Sequence, residues 1–204
     1  MSKMNLPNKL TMFRLCMVPV MMVFLLLPAD WIPTLLCYGI GLAVFALTSL
    51  TDMLDGKIAR SRNLITNFGK FMDPVADKFM VIGTLFSLLF RMLNAEIYRQ
   101  TYSFVFIVVY FVAVILIVFR ELAITSLRLV LVNVSGEVVA ANMLGKIKTV
   151  TQILCICSVI IEPLIYAIPG LNAPAFMTTY MPISYVTTAL MLVFTVWSGI
   201  NYLK

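Results

Sequence analysis

The sequence contains no histidine, and charged residues of either sign are scarce: nine are acidic and fifteen are basic among 204. Without an imidazole, a histidine general base, a Ser-His-Asp triad and phosphohistidine chemistry are all excluded. Soluble domains are typically about 25% charged and about 45–50% apolar, whereas this chain is 12% charged and 62% hydrophobic. A fold of this length cannot hide so much apolar surface from water, so we expect the chain to lie in a lipid bilayer.

Cysteine is also scarce, and the four cysteines lie in apolar segments, at Cys16, Cys37, Cys155 and Cys157. The pair at 155 and 157 lacks the spacing of a zinc site, so we interpret all four as small hydrophobic residues. The sequence contains no glycine- and serine-rich linker, low-complexity tract or internal repeat. We therefore predict a single domain over residues 1–204.

Six stretches are apolar enough for membrane-spanning helices, which need about 20 residues each. They are Met12–Pro28, Trp31–Leu50, Pro74–Leu93, Tyr102–Phe119, Thr149–Ile168 and Met181–Leu203. Backbone groups in hydrocarbon must be hydrogen-bonded within the protein, which favours helices here. We predict an all-α, polytopic membrane protein with six transmembrane helices, preceded by a short interfacial segment over Met1–Lys9. The polar segments after the second and fourth spans are expected to be helical extensions beyond the membrane.

The basic residues indicate the orientation of these helices, because cytoplasmic loops carry an excess of lysine and arginine. With the N-terminus in the cytoplasm, thirteen of the fifteen basic residues lie on the inner side, and only Arg91 and Arg99 lie outside. Both termini are then cytoplasmic. The net charge of +6 suits anionic headgroups or phosphorylated substrates. Because the basic residues sit at span ends rather than on a polar domain, we expect no nucleic-acid binding.

Four aspartates form the most informative pattern in the chain. Asp52 and Asp55 are three residues apart, and Asp73 and Asp77 are four apart, so on helices each pair shares one face. Because the second and third spans run antiparallel, the two acidic faces can meet at the cytoplasmic edge of the membrane. Carboxylates gathered there repel one another, and a pair of divalent cations offsets that repulsion. Oxygen ligands favour Mg²⁺ or Mn²⁺, and Mg²⁺ usually completes its shell with substrate phosphates.

Small residues and one arginine accompany these acids. Gly56, Ala59 and Gly69 remove bulk beside the aspartates, which would let a nucleotide or diphosphate approach the helix backbone. Arg60 can meet a phosphate with a bidentate fork. Taken singly, these features have an alternative interpretation, because acids at a membrane edge can be interfacial anchors and small residues can serve close helix packing.

The complete pattern, D-x2-D-G-x2-A-R-x8-G-x3-D-x3-D from Asp52 to Asp77, resembles the motif of the CDP-alcohol phosphatidyltransferase family. Three further segments resemble the family members that use glycerol 3-phosphate. They are N-L-P-N-x2-T-x2-R from Asn5 to Arg14, Arg120-Glu121 with Arg128, and G-K-x-K-T-x2-Q from Gly145 to Gln152. The resemblance covers the first three quarters of the chain, and the last span matches only in hydrophobicity.

The resemblance implies an enzyme that moves the phosphatidyl group of CDP-diacylglycerol to a small alcohol. It also implies that the enzyme is a homodimer surrounded by membrane lipids, with its active site at the cytoplasmic side of a bacterial membrane. It implies that two divalent cations, Mg²⁺ or Mn²⁺, are bound by Asp52, Asp55, Asp73 and Asp77, and that Asp77 is also the general base. The residues expected to contact the CDP-lipid are Asn8, Thr11, Gly56, Ala59, Arg60 and Thr66, together with Gly69 for its small size.

The resemblance also favours glycerol 3-phosphate as the acceptor, giving phosphatidylglycerophosphate and CMP. This dianion needs cations that the metal-binding acids do not already engage. The candidates are Arg120, Lys146, Arg128 and Lys148, with Arg14 as a further one. Lys146 and Lys148 diverge by roughly 200° on a helix, so we expect only one, Lys146, to face the acceptor. Contact with a lipid headgroup is the alternative for each basic residue, and Glu121 can pair with Arg128 or Lys146.

Other functions stay open at this stage. Within the same family the acceptor can be inositol phosphate, serine or phosphatidylglycerol, and only the basic cluster argues against uncharged or zwitterionic acceptors. A membrane prenyltransferase also binds diphosphate through acidic helices, but it generally has more helices. A cation transporter could use the intramembrane acids as an ion path, although we expect such a path to carry polar residues through to the outer face.

Overall fold

A computed structural model describes residues 5–28, 31–61, 67–94, 102–135, 143–166, 168 and 174–203, without the side chains of residues 34, 53–61, 67, 68, 70, 71, 94, 128–135, 202 and 203. The described residues form seven α-helices and no strand. The helices are α1 (Leu6–Leu26), α2 (Thr34–Ser61), α3 (Asn67–Asn94), α4 (Phe104–Ser135), α5 (Met143–Tyr166), α6 (Ala175–Tyr180) and α7 (Pro182–Leu203). The prediction of an all-α fold is confirmed.

Five of these helices, α1, α2, α4, α5 and α7, are long and apolar enough to cross a membrane. At 1.5 Å per residue, the 21 residues of α1 extend about 32 Å, close to the thickness of about 30 Å of a hydrocarbon core. The remaining predicted span, Pro74–Leu93, lies in α3, which has 28 residues but carries several charged side chains, among them Asp73, Asp77 and Arg91. Large apolar side chains are exposed along the helices, as in Phe104 at 79% and Trp197 at 55%. Such exposed apolar faces belong in lipid, and the chain is a polytopic integral membrane protein.

The helices extend beyond the predicted spans at the ends that carry polar residues. α2 continues past Leu50 through both Asp52 and Asp55, and α4 continues past Phe119 to its end at residue 135. The prediction that both segments are helical is therefore confirmed up to residues 61 and 135, and their position beyond the membrane stays a prediction. α1 begins at Leu6, so residues 6–9 of the predicted interfacial segment form its first turn, and residues 1–4 lie outside the described residues.

The chain packs as two compact units, Met1–Arg91 and Met92–Lys204. The first contains α1, α2 and nearly all of α3, and the second contains α4 to α7. This division concerns the packing of the helices, and the prediction of a single domain stays a prediction.

In the first unit α1 packs against α2, with the two helices running in opposite directions. Arg14 of α1 contacts Asp52 in the second half of α2, and Leu25 of α1 contacts Gly41 in the first half. A Cβ at Gly41 would stand 2.6 Å from a methyl carbon of Leu25. The absence of a side chain at Gly41 therefore allows the two helices to approach closely.

α3 runs parallel to α1 in the same unit. Thr11 contacts Asp73 near the start of both helices, and Met21 lies beside Thr84 one to two turns before the end of α1. The first unit is therefore a bundle in which α1 contacts both of the helices that carry the motif aspartates.

Arg91 closes the far end of this unit. Its Nη1 donates hydrogen bonds to the carbonyl oxygens of Leu25 and Leu27, at 3.0 and 2.7 Å, which are among the carbonyls that a helix leaves without partners at its C-terminal end. The guanidinium also lies 4.8 Å from the ring centroid of Tyr38, within the range of a cation–π contact. Arg91 of α3 thus contacts both the end of α1 and Tyr38 of α2, at the end of the unit away from Asp52 and Asp73.

In the second unit α5 runs antiparallel to α7. Cys155 of α5 lies 3.4 Å from the hydroxyl of Thr188, and the buried carboxylate of Glu162 caps the start of α7. It accepts hydrogen bonds from the backbone N–H groups of Ile183 and Ser184 and from the Ser184 hydroxyl, at 3.0, 2.6 and 2.6 Å. A carboxylate at a helix N-terminus satisfies donors that the helix leaves open.

α4 runs parallel to α7 in this unit. Ser103 lies 2.6 Å from the hydroxyl of Tyr185, and Arg120, five turns further along α4, donates to Ser198 at 2.6 Å. A Cβ at Gly199 would lie 3.3 Å from the Arg120 side chain, so glycine leaves room for the arginine beside α7.

Candidate active site

α1 carries a buried polar face in its N-terminal half, although the helix is otherwise largely apolar. Asn8, Thr11 and Arg14 follow one another at intervals of three residues and so lie toward one side of the helix. Their exposed fractions are 8%, 1% and 0%. Leaving a buried polar group unsatisfied costs about 1–3 kcal/mol, so such groups require partners. For Thr11 and Arg14 those partners include two of the four motif aspartates.

Arg14 forms an ion pair with Asp52 between its Nη1 and the Oδ1 of the aspartate. The arginine side chain is entirely buried, whereas the Asp52 side chain is 43% exposed. Arginine stays charged in proteins, and a buried charge is stable only when it is paired. The contact therefore explains why α1 meets α2 at this point, and it gives Asp52 a fixed neighbour of opposite charge.

Thr11 makes the corresponding contact with α3. Its hydroxyl lies 2.5 Å from Oδ1 of Asp73 and 3.1 Å from the carbonyl oxygen of Pro7 in its own helix. A hydroxyl has one proton to donate, and hydrogen bonds to an ionised carboxylate are the stronger kind. We therefore assign the proton to the bond with Asp73.

These two contacts bring aspartates from α2 and α3 to adjacent turns of α1. Asp52 and Asp73 are thus held beside the same short stretch of helix. Asp77 lies one turn beyond Asp73 in α3 and is half-buried. Asp55 lies one turn beyond Asp52 in α2, and its side chain is outside the described part of the structure.

The donor atoms at this site are oxygens. Among the side chains that the structure describes, no three acidic or cysteine side chains form a group that could hold a metal ion, and Asp55 is not among those described. The chain has no histidine, and carboxylates select Mg²⁺ or Mn²⁺ over softer metals. The donor types of the four aspartates therefore fit the predicted cations, and the binding itself stays a prediction.

The residues predicted to contact a CDP-lipid belong to the same three helices or to the segment between α2 and α3. Asn8 and Thr11 lie on the buried face of α1, and Gly69 is buried in α3 one turn before Asp73. The positions in α2, whose side chains are outside the described part, are Gly56, Ala59 and Arg60. Thr66 lies outside the described residues. These contacts stay predictions.

The basic residues predicted to bind the acceptor belong, except for Arg14, to the second unit. There Lys148 of α5 forms a buried ion pair with Glu121 of α4. Arg120 donates to the same carboxylate oxygen at 3.3 Å and to the hydroxyl of Ser198 at 2.6 Å. Glu121 therefore holds two cationic side chains in one buried cluster.

Lys146 and Lys148 lie on different faces of α5, as their spacing predicts. Lys146 is exposed, whereas Lys148 is 8% exposed and joins the buried cluster. The choice of Lys146 as the residue that faces the acceptor stays a prediction. Arg128 lies on α4, and its side chain is outside the described part of the structure.

The sequence did not predict that Glu121 pairs with both Lys148 and Arg120. Its expected partners were Arg128 or Lys146, but in the structure its partners include Lys148 and Arg120. An acidic residue inside a long, otherwise apolar helix is the signal that could have drawn attention to it, because such a residue is costly unless it is paired.

We expect Glu121→Gln to destabilise the protein, because the Lys148 ammonium then stays buried without this carboxylate. Removing one member of a buried ion pair typically costs about 3–5 kcal/mol. Thermal unfolding in detergent micelles, followed by circular dichroism, measures the loss. The matched control is the double variant Glu121→Gln/Lys148→Met, which removes both charges and should recover part of the stability. A double variant no more stable than Glu121→Gln alone would contradict the pairing.

The fold and this site define a class of protein. In the described residues the chain is an all-helical membrane protein in which two helices each place one motif aspartate, Asp52 or Asp73, against an arginine or a threonine of a third helix. Paired carboxylates that bind Mg²⁺ together with substrate phosphates are typical of enzymes acting on phosphorylated substrates.

The comparison with known proteins identifies the family. The model of the CDP-alcohol phosphatidyltransferase family matches residues 4–197. The chain therefore belongs to the CDP-alcohol phosphatidyltransferase family, as the motif from Asp52 to Asp77 predicts.

Several curated relatives carry one enzyme name, CDP-diacylglycerol–glycerol-3-phosphate 3-phosphatidyltransferase. The relative from Bacillus subtilis is 42% identical over 170 residues, which are 78% of this chain and 78% of the relative. The relative from Rickettsia felis is 35% identical over 159 residues, covering 77% of this chain and 75% of the relative. The relative from Salmonella choleraesuis is 30% identical over 201 residues, or 98% of this chain and 93% of the relative.

Proposed function

We propose that this protein transfers the phosphatidyl group of CDP-diacylglycerol to glycerol 3-phosphate, giving phosphatidylglycerophosphate and CMP, as a step of phospholipid biosynthesis. The proposal rests on the similarity of this chain to the three relatives described above, which carry the name of this enzyme. Each alignment covers at least 77% of this chain. The geometry of the first unit agrees with it, because α1 contacts aspartates from both motif helices.

Divalent cations are part of this proposal. Asp52, Asp55, Asp73 and Asp77 would hold two ions, Mg²⁺ or Mn²⁺. When bound, such ions neutralise the charge of the diphosphate and stabilise CMP as the leaving group.

Asp77 is the proposed general base. It accepts the proton of the primary hydroxyl of glycerol 3-phosphate while that oxygen attacks the β-phosphorus of the CDP-lipid. A new bond forms between this oxygen and phosphorus, and the bond from phosphorus to the oxygen bridging the two phosphates breaks. CMP leaves with the bonding electron pair. A positioned base contributes typically about 10²–10⁴-fold to the rate, so Asp77 is the side chain on which turnover depends most directly.

The remaining residues bind the two substrates in this proposal. Contacts to the CDP-lipid are assigned to Asn8, Thr11, Gly56, Ala59, Arg60, Thr66 and Gly69. Contacts to the phosphate of the acceptor are assigned to Arg120, Lys146, Arg128 and Lys148, because a dianion requires cationic partners. Arg14 is a further candidate for the acceptor, although the structure gives its guanidinium a carboxylate partner in Asp52.

We also propose that the protein lies in the cytoplasmic membrane of a bacterium, with both termini and the aspartates on the cytoplasmic side. The distribution of the fifteen basic residues along the sequence supports this orientation, and the three relatives described above are bacterial. Membrane lipids surround the apolar helix faces, and the resemblance to the family supports a homodimer.

A reconstituted assay tests the proposal. Purified protein in liposomes receives CDP-diacylglycerol and Mg²⁺ with glycerol 3-phosphate, serine, inositol phosphate or phosphatidylglycerol in separate reactions, and release of CMP is measured. We expect CMP release with glycerol 3-phosphate to exceed that with every other acceptor. A preference for another acceptor would contradict the assignment within the family, and absence of CMP release with all of them would contradict the transferase activity itself.

A further inference from the structure

Two buried polar residues of α1, three positions apart in the sequence, each contact a different motif aspartate. Arg14 pairs with Asp52 of α2, and Thr11 donates to Asp73 of α3. Both α1 side chains are fully or almost fully buried, at 0% and 1% exposure. One turn of one helix therefore connects to both acidic helices.

We propose that Arg14 and Thr11 are positioning residues, which hold the Asp52 and Asp73 carboxylates in the arrangement that binds divalent cations. This inference rests on the proposed function, since it takes the aspartates as metal ligands. It gives Arg14 a role different from binding the acceptor phosphate.

The chemistry of a carboxylate allows this role. Its two oxygens offer about four acceptor positions in total, so one oxygen can bond a protein donor while the carboxylate binds a cation. In both contacts the bonded atom is Oδ1. Carboxylates that ligate metals are in general hydrogen-bonded by neighbouring residues, and loss of such a partner typically lowers metal affinity by about 10–100-fold.

The electrostatics of the proposed cluster favour a positioning partner for each carboxylate. Four aspartates in the second half of α2 and the first half of α3 repel one another if they come together when ionised, and that repulsion favours side-chain rotamers that point apart. Arg14 opposes the repulsion with a permanent positive charge, and Thr11 fixes a rotamer of Asp73 without adding charge. The two residues thus act on α2 and α3 in different ways, and substitutions can separate the effects.

A buried arginine elsewhere in the same unit provides a matched comparison. Arg91 is 5% exposed, but its described partners are the carbonyl oxygens of Leu25 and Leu27 and the ring of Tyr38. Thr84, which is 0% exposed, is the comparison for Thr11, because its hydroxyl bonds the carbonyl of its own helix at 2.6 Å. The contacts that the structure describes for these two residues do not include a motif aspartate, so substitutions here change the packing of the unit without removing a described contact of the acidic site.

The experiment measures Mn²⁺ binding directly, without turnover. Full-length protein in nanodiscs of neutral lipid is titrated with Mn²⁺, and free Mn²⁺ is followed by electron paramagnetic resonance. The variants are Arg14→Gln, Thr11→Val and Thr11→Ser, with Arg91→Gln and Thr84→Val as controls and Asp55→Asn as a test of the metal site itself. We expect Kd for Mn²⁺ to rise about 10–100-fold in Arg14→Gln and Thr11→Val. Thr11→Ser keeps the hydroxyl, so its Kd for Mn²⁺ should stay within about threefold of the wild-type value, and so should the Kd of both controls. A threefold change is small beside the expected rise of about 10–100-fold.

The outcomes separate this inference from the proposed function. If Asp55→Asn weakens Mn²⁺ binding but Arg14→Gln and Thr11→Val do not, the positioning role is wrong and the metal site stands. If the wild type binds no Mn²⁺, or if Asp55→Asn leaves Kd unchanged, the metal site and this inference both fail. If Arg14→Gln is not recovered as folded protein, the comparison of Thr11→Val with Thr11→Ser decides the question alone. A rise in KM for glycerol 3-phosphate in Arg14→Gln with an unchanged Kd for Mn²⁺ would overturn the inference in favour of acceptor binding.

Discussion

Replacement of Asp77 by asparagine is expected to abolish phosphatidyl transfer while binding of the CDP-lipid largely survives. The amide keeps the size of the carboxylate but cannot accept a proton from the attacking hydroxyl, and loss of a general base typically lowers the rate by about 10²–10⁴-fold. In the proposed site, the three other motif aspartates would still hold the cations that bind the diphosphate. Steady-state release of CMP and equilibrium binding of CDP-diacylglycerol, measured on the same nanodisc preparation, give the two values.

The control for this result lies beside Asp77 in the sequence. Lys78 is half-buried, and its Nζ donates to the carbonyl oxygen of Pro74 at 3.3 Å. Lys78→Gln therefore changes one charge on the same helix without removing a carboxylate. We expect its rate of CMP release to stay within a few-fold of the wild-type rate. Loss of a general base, by contrast, should lower the rate about 10²-fold or more. Full activity of Asp77→Asn would remove Asp77 from the role of base.

Removal of divalent ions is the second large effect that we expect. Treatment with EDTA should lower the rate of CMP release at least about 100-fold, because stabilisation of the phosphoryl charge by metal ions contributes several kcal/mol and each 1.36 kcal/mol is a factor of ten. Addition of Mg²⁺ or Mn²⁺ in excess of the chelator should restore the rate.

Ionic strength provides the control for this experiment, because divalent ions also screen charges at a membrane surface. KCl at the ionic strength of the restoring MgCl₂ should leave the chelated enzyme inactive. Circular dichroism should show unchanged helix content after chelation, since the described helices depend on apolar packing and internal hydrogen bonds. The ions are expected to contribute several kcal/mol, so their removal should lower the rate far more than about tenfold. If the enzyme keeps more than about a tenth of its activity in EDTA, the aspartates do not act through cations.

The fold could be predicted largely from local properties of the sequence. Apolar runs of about 20 residues identify membrane helices because the bilayer fixes their length. The least accurate points are the helix ends. α2 and α4 run past the predicted spans, which stop at Leu50 and Phe119, to residues 61 and 135. The length of an apolar run indicates where a helix leaves the membrane, but it does not indicate where a helical extension ends.

The acidic half of the site was predictable for a related reason. The intervals from Asp52 to Asp55 and from Asp73 to Asp77 place each pair on one helix face whatever the rest of the fold does. The sequence predicts from the antiparallel spans that the two acidic faces meet, and the structure shows that Asp52 and Asp73 contact adjacent turns of α1. Neither prediction requires knowledge of a distant contact.

The partners of the buried cations could not be predicted in the same way. Arg14 and Asp52 are 38 residues apart in the sequence, and Lys148 and Glu121 are 27 apart. Their pairing depends on the rotation and register of one helix against another. The periodicity of α5 predicts that Lys146 and Lys148 diverge, but only the packing of α5 decides which of them is buried.

The most direct test of the central claim is the binding of CDP-diacylglycerol to purified wild-type protein in nanodiscs, with Mg²⁺ and after removal of divalent ions. The proposed function predicts tight binding with Mg²⁺ and a large loss of affinity without it, since the aspartates can grip a diphosphate only through cations. Equal affinity in the two conditions would contradict that claim.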